Sequence, residues 1–282
     1  MRTNNIVLIH GLWLTPRCLE DWTRHFLERG FNVYAPAWPG MDRVLRGLRG
    51  DPRPFERIGI RQIVDHYERL VLELDSPPIL LGHCLGGLVV QALVARGLGS
   101  CGVALAPAPA KGVWRMRWST LRVMAPQWIG PLNRRRGAAL TPSQFHYAFM
   151  NGSTREESDR VWQRFAVPAP RHLLHQAALA NLNPYAETFD VRRHKRPPLL
   201  LVAGERDRVV PPSIVKANYR LYRKSSAVTE YREFAGRTHF MIGQDGWQEL
   251  ADHALGWARD QQLLRERERR RVARELRARR AA

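Results

Sequence analysis

The sequence has few cysteines and no long hydrophobic run. Its 282 residues include three cysteines, Cys18, Cys84 and Cys101, a set too sparse and too odd in number for a disulfide framework or a zinc cage. The longest apolar runs, such as residues 199–203, are far too short to span a bilayer. We therefore expect no transmembrane segment, no metal and no cofactor, and the cysteines are free to carry chemistry of their own.

The first residues also lack an export signal. Residues 1–5 contain one arginine and lead directly into an apolar, strand-like run without a small-residue cleavage site. This favours a cytoplasmic location. The sequence carries no pattern that predicts an oligomeric state.

Acidic residues are scarce relative to basic ones. The chain has 26 Asp and Glu against 45 Lys and Arg, a net charge of +19, and residues 261–282 alone hold nine Arg and three Glu. A second basic cluster is Arg134, Arg135 and Arg136. Charge of this size can attract nucleic acid or anionic lipid, but no nucleic-acid-binding motif accompanies it. The simpler interpretation is a solvated surface with a helical tail, so no nucleic-acid partner is expected.

Strand-like and helix-like segments alternate along the chain, which is typical of a parallel sheet covered by helices. Short apolar runs predict strands at residues 6–10, 31–35, 78–81, 102–105, 198–203 and 227–234. Apolar residues at helical spacing predict helices at residues 19–29, 58–74, 85–96, 212–222 and from about 246 to 280. The predicted fold is therefore α/β, with a mostly parallel sheet of about six strands flanked by helices.

The alternation stops between residues 106 and 196. This stretch has proline-rich joints and two helical patterns, at 141–150 and 154–165, and we interpret it as an inserted helical lid. Residues 1–105 and 197–262 then form the core, and residues 263–282 form a basic helical tail. Because ligands in parallel sheets bind at the carboxyl ends of the strands, the loops that follow the strands are where functional residues are expected.

The clearest motif lies between a predicted strand and a predicted helix. Residues 82–87 read Gly-His-Cys-Leu-Gly-Gly and place Cys84 at the turn. A strand-to-helix turn that presents a nucleophile needs small residues two positions to either side of it, and Gly82 and Gly86 meet this need. The amino terminus of the helix supplies positive potential and a free N–H, which favour a thiolate and an oxyanion. A buried cysteine without a chemical role is the alternative interpretation.

With this motif the chain resembles enzymes of the α/β-hydrolase fold that carry a lid, over about residues 5–259. Most of that family has serine at this turn, the nucleophile elbow, whereas the cysteine version is similar to the elbows of dienelactone hydrolases and polyhydroxyalkanoate synthases. The resemblance implies that Cys84 is the nucleophile of a catalytic triad. A natural serine replaced by Cys84 is the alternative, and it would leave the architecture and the other residues unchanged.

The resemblance also implies the other two members of the triad. Residues 204–211, Gly-Glu-Arg-Asp-Arg-Val-Val-Pro, match the family's pattern after a late strand, which implies Asp207 as the acid. Glu205 is the nearby competitor, with a surface ion pair as its alternative role. His239, in the loop after the last strand, is implied as the base. The order Cys84, Asp207, His239 is the one that this fold imposes.

Further parts of the site follow from the same resemblance. The His-Gly-Leu-Trp sequence at residues 10–13 is similar to the family's oxyanion loop, so the N–H groups of Leu12 and Leu85 are expected to form the oxyanion hole. Trp13 and His83 are expected to contact the substrate. Aromatic residues of the lid either line an acyl pocket or form the core of the lid; these are Trp114, Trp118, Trp128, Phe145, Tyr147 and Phe149.

Together these features predict a hydrolase that cleaves a carboxylic ester or lactone, with a small-molecule acyl substrate and an acyl-cysteine intermediate. The alternative among enzymes is a thioesterase or acyltransferase that acts on activated acyl groups, because a thioester intermediate transfers readily to amines, alcohols and thiols. The alternative from another class is a non-catalytic member of the fold that binds a ligand.

Overall fold

A six-stranded parallel sheet forms the centre of the molecule. The computed structural model describes residues 3–51, 53–129, 138–178, 181 and 189–281; the predicted cluster of Arg134, Arg135 and Arg136 lies outside this set. The strands are β1 (Asn5–Ile9), β2 (Asn32–Tyr34), β3 (Ile79–His83), β4 (Cys101–Leu105), β5 (Leu199–Gly204) and β6 (Thr229–Phe234). Every neighbouring pair is parallel. The prediction of an α/β fold with a mostly parallel sheet of about six strands is confirmed.

Helices connect and flank these strands. Within the described residues they are α1 (Glu20–Leu27), α2 (Leu45–Gly50), α3 (Arg53–Glu56), α4 (Ile60–Glu73), α5 (Leu85–Ala95), α6 (Trp118–Ile129), α7 (Pro142–Phe149), α8 (Arg155–Phe165), α9 (Arg171–Ala178), α10 (Pro212–Leu221) and α11 (Trp247–Ala281). The sequence does not predict α2 and α3, because segments of six and four residues are too short to show a helical period.

The order of the strands across the sheet is β2-β1-β3-β4-β5-β6. The interior strands β1, β3, β4 and β5 are buried at every residue. Strands covered on both faces are marked by continuous apolar runs rather than by alternation, which is why these four are plain in the sequence. The edge strand β6 instead alternates between exposed and partly buried residues along most of its length.

The order of the strands also determines where a ligand can bind. The chain passes from β1 to β2 on one side of β1, and then returns to place β3 on the other side. This reversal is a topological switch point, and a crevice opens there outside the carboxyl ends of the two diverging connections. Gly11 and Leu12 follow β1 and Cys84 follows β3, so the predicted oxyanion loop and nucleophile both lie at this crevice.

The last helix, α11, packs on the sheet and continues as the basic tail. Leu250, Ala254 and Trp257 are buried, as their helical spacing predicts. Trp247 stacks on Trp22 of α1, with ring centroids 6.0 Å apart. From residue 264 onward, most side chains that the structure describes are exposed. Pairs of oppositely charged side chains one turn apart occur among them, each worth only tenths of a kcal/mol.

Four helices, α6 to α9, lie between β4 and β5, where the sequence predicts a lid. The predicted helices at 141–150 and 154–165 are confirmed as α7 and α8, and both begin with a capping box, formed by Thr141 and Thr154. The sequence does not predict α6, because it carries Pro126 in its interior and proline disfavours a helix there. A lid function and the domain boundaries stay predictions. None of the described helices is both long and apolar enough to cross a membrane.

Candidate active site

Cys84 occupies the tight turn between β3 and α5 in a strained backbone conformation. Its φ is 55° and its ψ is −116°, values that few residues with a side chain adopt. Cys84 N–H donates to the carbonyl of Leu105, and Cys84 O accepts from the N–H groups of Gly87 and Ala108. These bonds to the neighbouring strand and helix hold the turn in place. Strain maintained in this way is often found at functional sites.

The glycines that flank Cys84 are required by close contact between backbones. A Cβ on Gly82 would lie 2.2 Å from the carbonyl oxygen of Gly86, and a Cβ on Gly86 would lie 2.1 Å from the carbonyl oxygen of Ile9. Both contacts are far below any real Cβ separation, and the atoms involved belong to backbone that cannot move aside. The Gly-x-Cys-x-Gly spacing is therefore a packing requirement of the turn against β1.

Replacing Gly86 with alanine tests this packing. We expect Gly86→Ala to lower the free energy of unfolding by about 3 kcal/mol, because the added methyl group would push α5 away from β1. A matched control is Gly256→Ala in α11, where an added Cβ meets no atom within 4 Å and helix propensity predicts a gain of about 0.5–1 kcal/mol. Urea unfolding of the two variants measures both effects. A Gly86→Ala chain as stable as the original would contradict the geometry of the turn.

Two other residues with side chains have positive φ, and both also follow strands. Trp13 follows β1 with a φ of 64°, and Ala106 follows β4 with a φ of 43°. Together with Cys84, these are the non-glycine residues of positive φ among the described parts of the chain. All three therefore lie at one edge of the sheet, on neighbouring strands. Strain concentrated in this way marks the crevice as the functional edge.

His239 and Asp207 form a buried pair at the same edge. His239 Nδ1 lies 2.7 Å from Asp207 Oδ2, and neither side chain is exposed to solvent. The other carboxylate oxygen, Oδ1, accepts hydrogen bonds of 2.8 Å from the backbone N–H groups of Val209 and Val210. With two backbone donors on Oδ1, the carboxylate is the acceptor in this arrangement, and we assign the proton of the contact with Oδ2 to Nδ1 of His239. The structure thus brings together the two residues predicted as acid and base.

The second ring nitrogen of His239, Nε2, is buried next to Cys84. Among the described residues, Nε2 of His239 has no partner at standard hydrogen-bond geometry, but the Cys84 thiol is close enough to act on the charge of the ring. Burial lowers the pKa of His239, and the carboxylate of Asp207 together with Cys84 outweighs burial and raises this pKa to about 10. The environment therefore favours an imidazolium, which is the state that follows proton transfer from a thiol.

The other two cysteines lie in environments that keep them as thiols. Cys18 and Cys101 are free and buried. Burial raises the pKa of Cys18, and burial raises the pKa of Cys101 to about 12. Cys84 is also buried, but it lines a cavity. Of the three, Cys84 is thus the one placed to meet a ligand.

His83 lies beneath His239 and not among the residues that line the described cavity. Its ring is fully buried, and Nε2 of His83 lies 2.8 Å from the backbone carbonyl oxygen of His239. Burial lowers the pKa of His83 well below its usual value, and the charge of His239 adds to this effect. A neutral His83 with its proton on Nε2 donates to that carbonyl and holds the backbone of His239. Substrate contact by His83 stays a prediction.

The predicted oxyanion loop packs directly against the nucleophile. A Cβ on Gly11 would lie 2.6 Å from Cβ of Cys84, so glycine allows the backbone before Leu12 to approach this closely. Leu85 is the first residue of α5, and its N–H has no acceptor within the helix. The N–H groups of Leu12 and Leu85 therefore lie on two segments that meet at Cys84. Their use as an oxyanion hole stays a prediction.

An apolar cavity of about 340 Å³ opens beside Cys84. Three predicted site residues, Leu12, Trp13 and Cys84, line it. Its other walls come from the loop after β4, from α6, from Ala177 of α9 with Asn181, and from the segment after Asp207. Apolar wall residues include Leu12, Trp13, Val113, Met124, Val209 and Ile214. Trp13 is held in place because its Nε1 donates to Ala138 O over 2.9 Å. Such a cavity suits an acyl chain or an aromatic group.

The aromatic residues of the predicted lid divide between its core and its surface. Phe145 and Phe149 are fully buried and stack on each other, with centroids 4.7 Å apart. Trp114 and Trp118 are exposed, and the side chain of Trp128 lies outside the described residues. The sequence does not predict that Phe149 packs its ring edge against His239, at 4.8 Å between centroids. No sequence signal reports this contact, since it depends on the path of the inserted helices.

Metal-binding groups are not apparent within the described residues, where no three His, Cys, Asp or Glu side chains are grouped to hold an ion. The arrangement at the sheet edge instead offers a thiol, a base oriented by a carboxylate, and two backbone N–H groups. These are the parts that acyl transfer through a covalent intermediate uses.

Comparisons with known proteins agree with the fold. A model described as "Alpha/beta hydrolase family" matches residues 6–253, whereas a comparison with curated proteins gives no match. Similar solved structures include the Paleococcus ferrophilus monoacylglycerol lipase, with 20% identity and a TM-score of 0.61 over 91% of this chain and 94% of that one. The pyrethroid hydrolase from Sphingobium faniae JZ-2 has 17% identity and a TM-score of 0.61 over 91% and 98%. Tomato Methylketone Synthase I has 14% identity and a TM-score of 0.65 over 92% and 99%.

Proposed function

The chain belongs to the alpha/beta hydrolase family, and we propose that it hydrolyses carboxylic esters or lactones, with Cys84 as nucleophile, His239 as base and Asp207 as acid. One observation supports this above all: a strained cysteine at the sheet edge borders both an apolar cavity and a buried His239–Asp207 pair. Side chains with these three roles in this chain order are typical of triads on this fold.

The first half of the reaction forms a thioester. Nε2 of His239 takes the proton from Cys84 Sγ, or already holds it in a thiolate–imidazolium pair, and the thiolate adds to the carbonyl carbon of the substrate. The oxyanion of the tetrahedral intermediate accepts hydrogen bonds from the N–H groups of Leu12 and Leu85. The intermediate collapses as His239 passes its proton to the leaving alkoxide, and the acyl group remains on Cys84. Asp207 stabilises the imidazolium throughout without taking its proton.

The second half releases the acid. A water molecule approaches the thioester. Nε2 of His239 takes a proton from this water, and the resulting hydroxide adds to the acyl carbon. The second tetrahedral intermediate expels the thiolate, which regains a proton from His239. The apolar cavity beside Leu12 and Trp13 holds the acyl group during both halves, and the helices between β4 and β5 act as a lid that keeps bulk water away. His83 holds the backbone of His239 below the reacting atoms.

Detection of the acyl-enzyme is the direct test. We expect intact-mass analysis after rapid mixing with p-nitrophenyl esters of increasing chain length to show one added acyl group, located on Cys84. Neutral hydroxylamine should remove this group, because thioesters react with it far faster than oxygen esters do. Pretreatment with iodoacetamide should block both the adduct and turnover. If Cys84 is alkylated without loss of turnover, a different residue is the nucleophile.

Acyl transfer is a second candidate function, and the cysteine itself favours it. A thioester reacts with amines and thiols faster than an oxygen ester does, so the same intermediate could be captured by an acceptor other than water. The test adds an amine or alcohol acceptor to the ester assay and quantifies the amide or ester product. If more amide or ester than free acid is formed, the chain is an acyltransferase. No adduct and no turnover with any ester would favour a non-catalytic binding protein of this fold.

A further inference from the structure

The mouth of the cavity carries an exposed apolar segment. Residues 114–118 read Trp-Arg-Met-Arg-Trp, and we refer to them as the rim segment. The side chains of Trp114, Met116 and Trp118 are 72%, 50% and 79% exposed, and they are three of the eight large hydrophobic side chains exposed among the described residues. Trp114 and Met116 also line the cavity that contains Cys84. Apolar side chains clustered on a surface in this way mark an interaction site.

Arginines alternate with these apolar side chains. Arg115 and Arg117 are exposed, and within the described parts of the chain neither is paired with a carboxylate. Residues 113–117 belong to no helix or strand, so the indole rings and the guanidinium groups extend from one short stretch of backbone. An apolar protein surface could accommodate the tryptophans but would leave these charges buried and unpaired, at a high cost.

Positive charge continues around the rim segment. Arg122 and Arg208 both lie over the Tyr147 ring, with guanidinium carbons 4.4 and 4.5 Å from its centroid. Arg117, Arg206 and Arg208 also line an open cleft next to the cavity, together with Glu205 and with Asp207, whose carboxylate is buried. Glu205 accepts a hydrogen bond from Gly236 N–H and Asp207 is engaged with His239. The surface around the mouth therefore presents cations to an approaching partner.

We propose that the rim segment docks this chain on the surface of a bilayer that contains anionic phospholipid. Tryptophan side chains favour the boundary between headgroups and hydrocarbon, and arginine binds phosphate in a bidentate manner at the same depth. The net charge of +19 adds long-range attraction to an anionic membrane. A nucleic acid would satisfy the arginines but would leave the exposed tryptophans and Met116 without an apolar partner.

The position of the rim segment at the cavity means that docking affects how a substrate reaches Cys84. Because Trp114 and Met116 belong both to the rim segment and to the cavity wall, a chain seated on a bilayer holds the cavity open toward the lipid phase. An acyl substrate dissolved in the membrane could then reach Cys84 without crossing water. This consequence rests on the proposed function, whereas the docking itself does not depend on the chemistry at Cys84.

Vesicle binding tests the docking. The full chain is sedimented with vesicles of ether-linked phosphatidylcholine, with or without about 30 mol% ether-linked phosphatidylglycerol, since ether lipids cannot be hydrolysed during the measurement. We expect at least about tenfold tighter partitioning to the anionic vesicles, weakened as added salt screens the charges. The double variants R115Q/R117Q and W114S/W118S should each lower the partition coefficient by about tenfold or more.

Matched controls separate the rim segment from general charge and general hydrophobicity. R267Q/R274Q removes two exposed charges from the basic tail, and V44S/L72S removes two apolar side chains that are 78% and 66% exposed elsewhere. Both controls should bind vesicles within about twofold of the original chain. If R267Q/R274Q weakens vesicle binding as much as R115Q/R117Q does, binding depends on the net charge of the chain and not on the rim segment, and the proposal is wrong.

Failure of the docking can be distinguished from failure of the proposed function. A chain that forms the Cys84 adduct with a water-soluble p-nitrophenyl ester but does not bind anionic vesicles overturns the docking alone. A chain that binds these vesicles through the rim segment but forms no adduct supports the docking and removes the proposed chemistry. Tight binding of DNA that is lost in R115Q/R117Q, without vesicle binding, would assign the surface to a nucleic acid and overturn the proposal.

Discussion

Replacing Cys84 with alanine should lower kcat/KM for ester hydrolysis by about 10⁴-fold or more, because the covalent route is then closed. The residual rate would come from substrate binding and the backbone N–H groups alone. The change is small in volume and keeps the positive φ of the turn, so the fold should survive it. Stopped-flow assays with p-nitrophenyl esters measure the loss, and thermal unfolding verifies that the variant is folded.

The matched control for this prediction is Cys101→Ala. Cys101 is a fully buried cysteine on the neighbouring strand β4, and its thiol lies outside the cavity wall as described. We expect kcat/KM to remain within about threefold, with a stability loss of about 1 kcal/mol from the small void. Equal losses of activity in the two variants would mean that the removal of a buried thiol from the core, and not the chemistry of Cys84, lowers the rate.

The parts of the molecule that could be predicted from sequence depend on local requirements. Interior strands covered on both faces require continuous apolar runs, and the elbow requires glycine at positions 82 and 86 because the backbones there nearly touch. His239 and Asp207 are separated by 32 residues, and no local pattern brings them together. The family resemblance implies these two residues, and their proximity is expected because parallel strands present the loops that follow them at one edge.

The parts that could not be predicted depend on how distant segments pack. Phe149 reaches His239 because the end of α7 packs on the loop after β6, where Phe240 N–H donates to Phe149 O. A phenylalanine in a helix has the same pattern whether it packs there or elsewhere. The hydrogen bond from His83 to the backbone of His239 likewise joins the end of β3 to a loop 156 residues further along the chain. In the sequence, His83 is next to the nucleophile, which suggests substrate contact, and this stays a prediction; in the fold, its ring packs against the ring of His239 and is not among the residues that line the cavity. Because side chains alternate in direction along an extended strand such as β3, the side chains of the adjacent residues His83 and Cys84 extend to different places.

The pattern of exposure around the cavity also lies beyond sequence analysis. Trp114 and Phe145 are both aromatic residues of the same insertion, yet one is 72% exposed and the other is fully buried. Phe145 belongs to a helix with a partner ring one turn away, whereas Trp114 lies in a segment without regular structure. Periodicity identifies Phe145 as a core residue. Only the folded chain reveals that Trp114 borders an opening that leads to Cys84.

Replacing Asp207 with asparagine should lower kcat by about 10⁴-fold while leaving the fold intact. Oδ1 of Asp207 accepts from two backbone N–H groups, those of Val209 and Val210. The asparagine oxygen must occupy this position, because its amide nitrogen would face two donors there. The NH₂ group then lies where Oδ2 contacts Nδ1 of His239, and since NH₂ can only donate, the ring must place its proton on Nε2. A protonated Nε2 in the neutral ring cannot accept the proton of Cys84.

Two further measurements separate this tautomer effect from a general loss of structure. The carboxylate of Asp207 raises the pKa of His239, which is about 10, so in Asp207→Asn the ¹⁵N-detected titration of this ring should shift to lower pH and its neutral form should show hydrogen on Nε2. Glu205→Gln, the same change two residues earlier on an exposed side chain, should leave kcat within about threefold. If Asp207→Asn keeps full activity with an altered tautomer, His239 is not the base. If Glu205→Gln carries the loss instead, the acid of the site is Glu205.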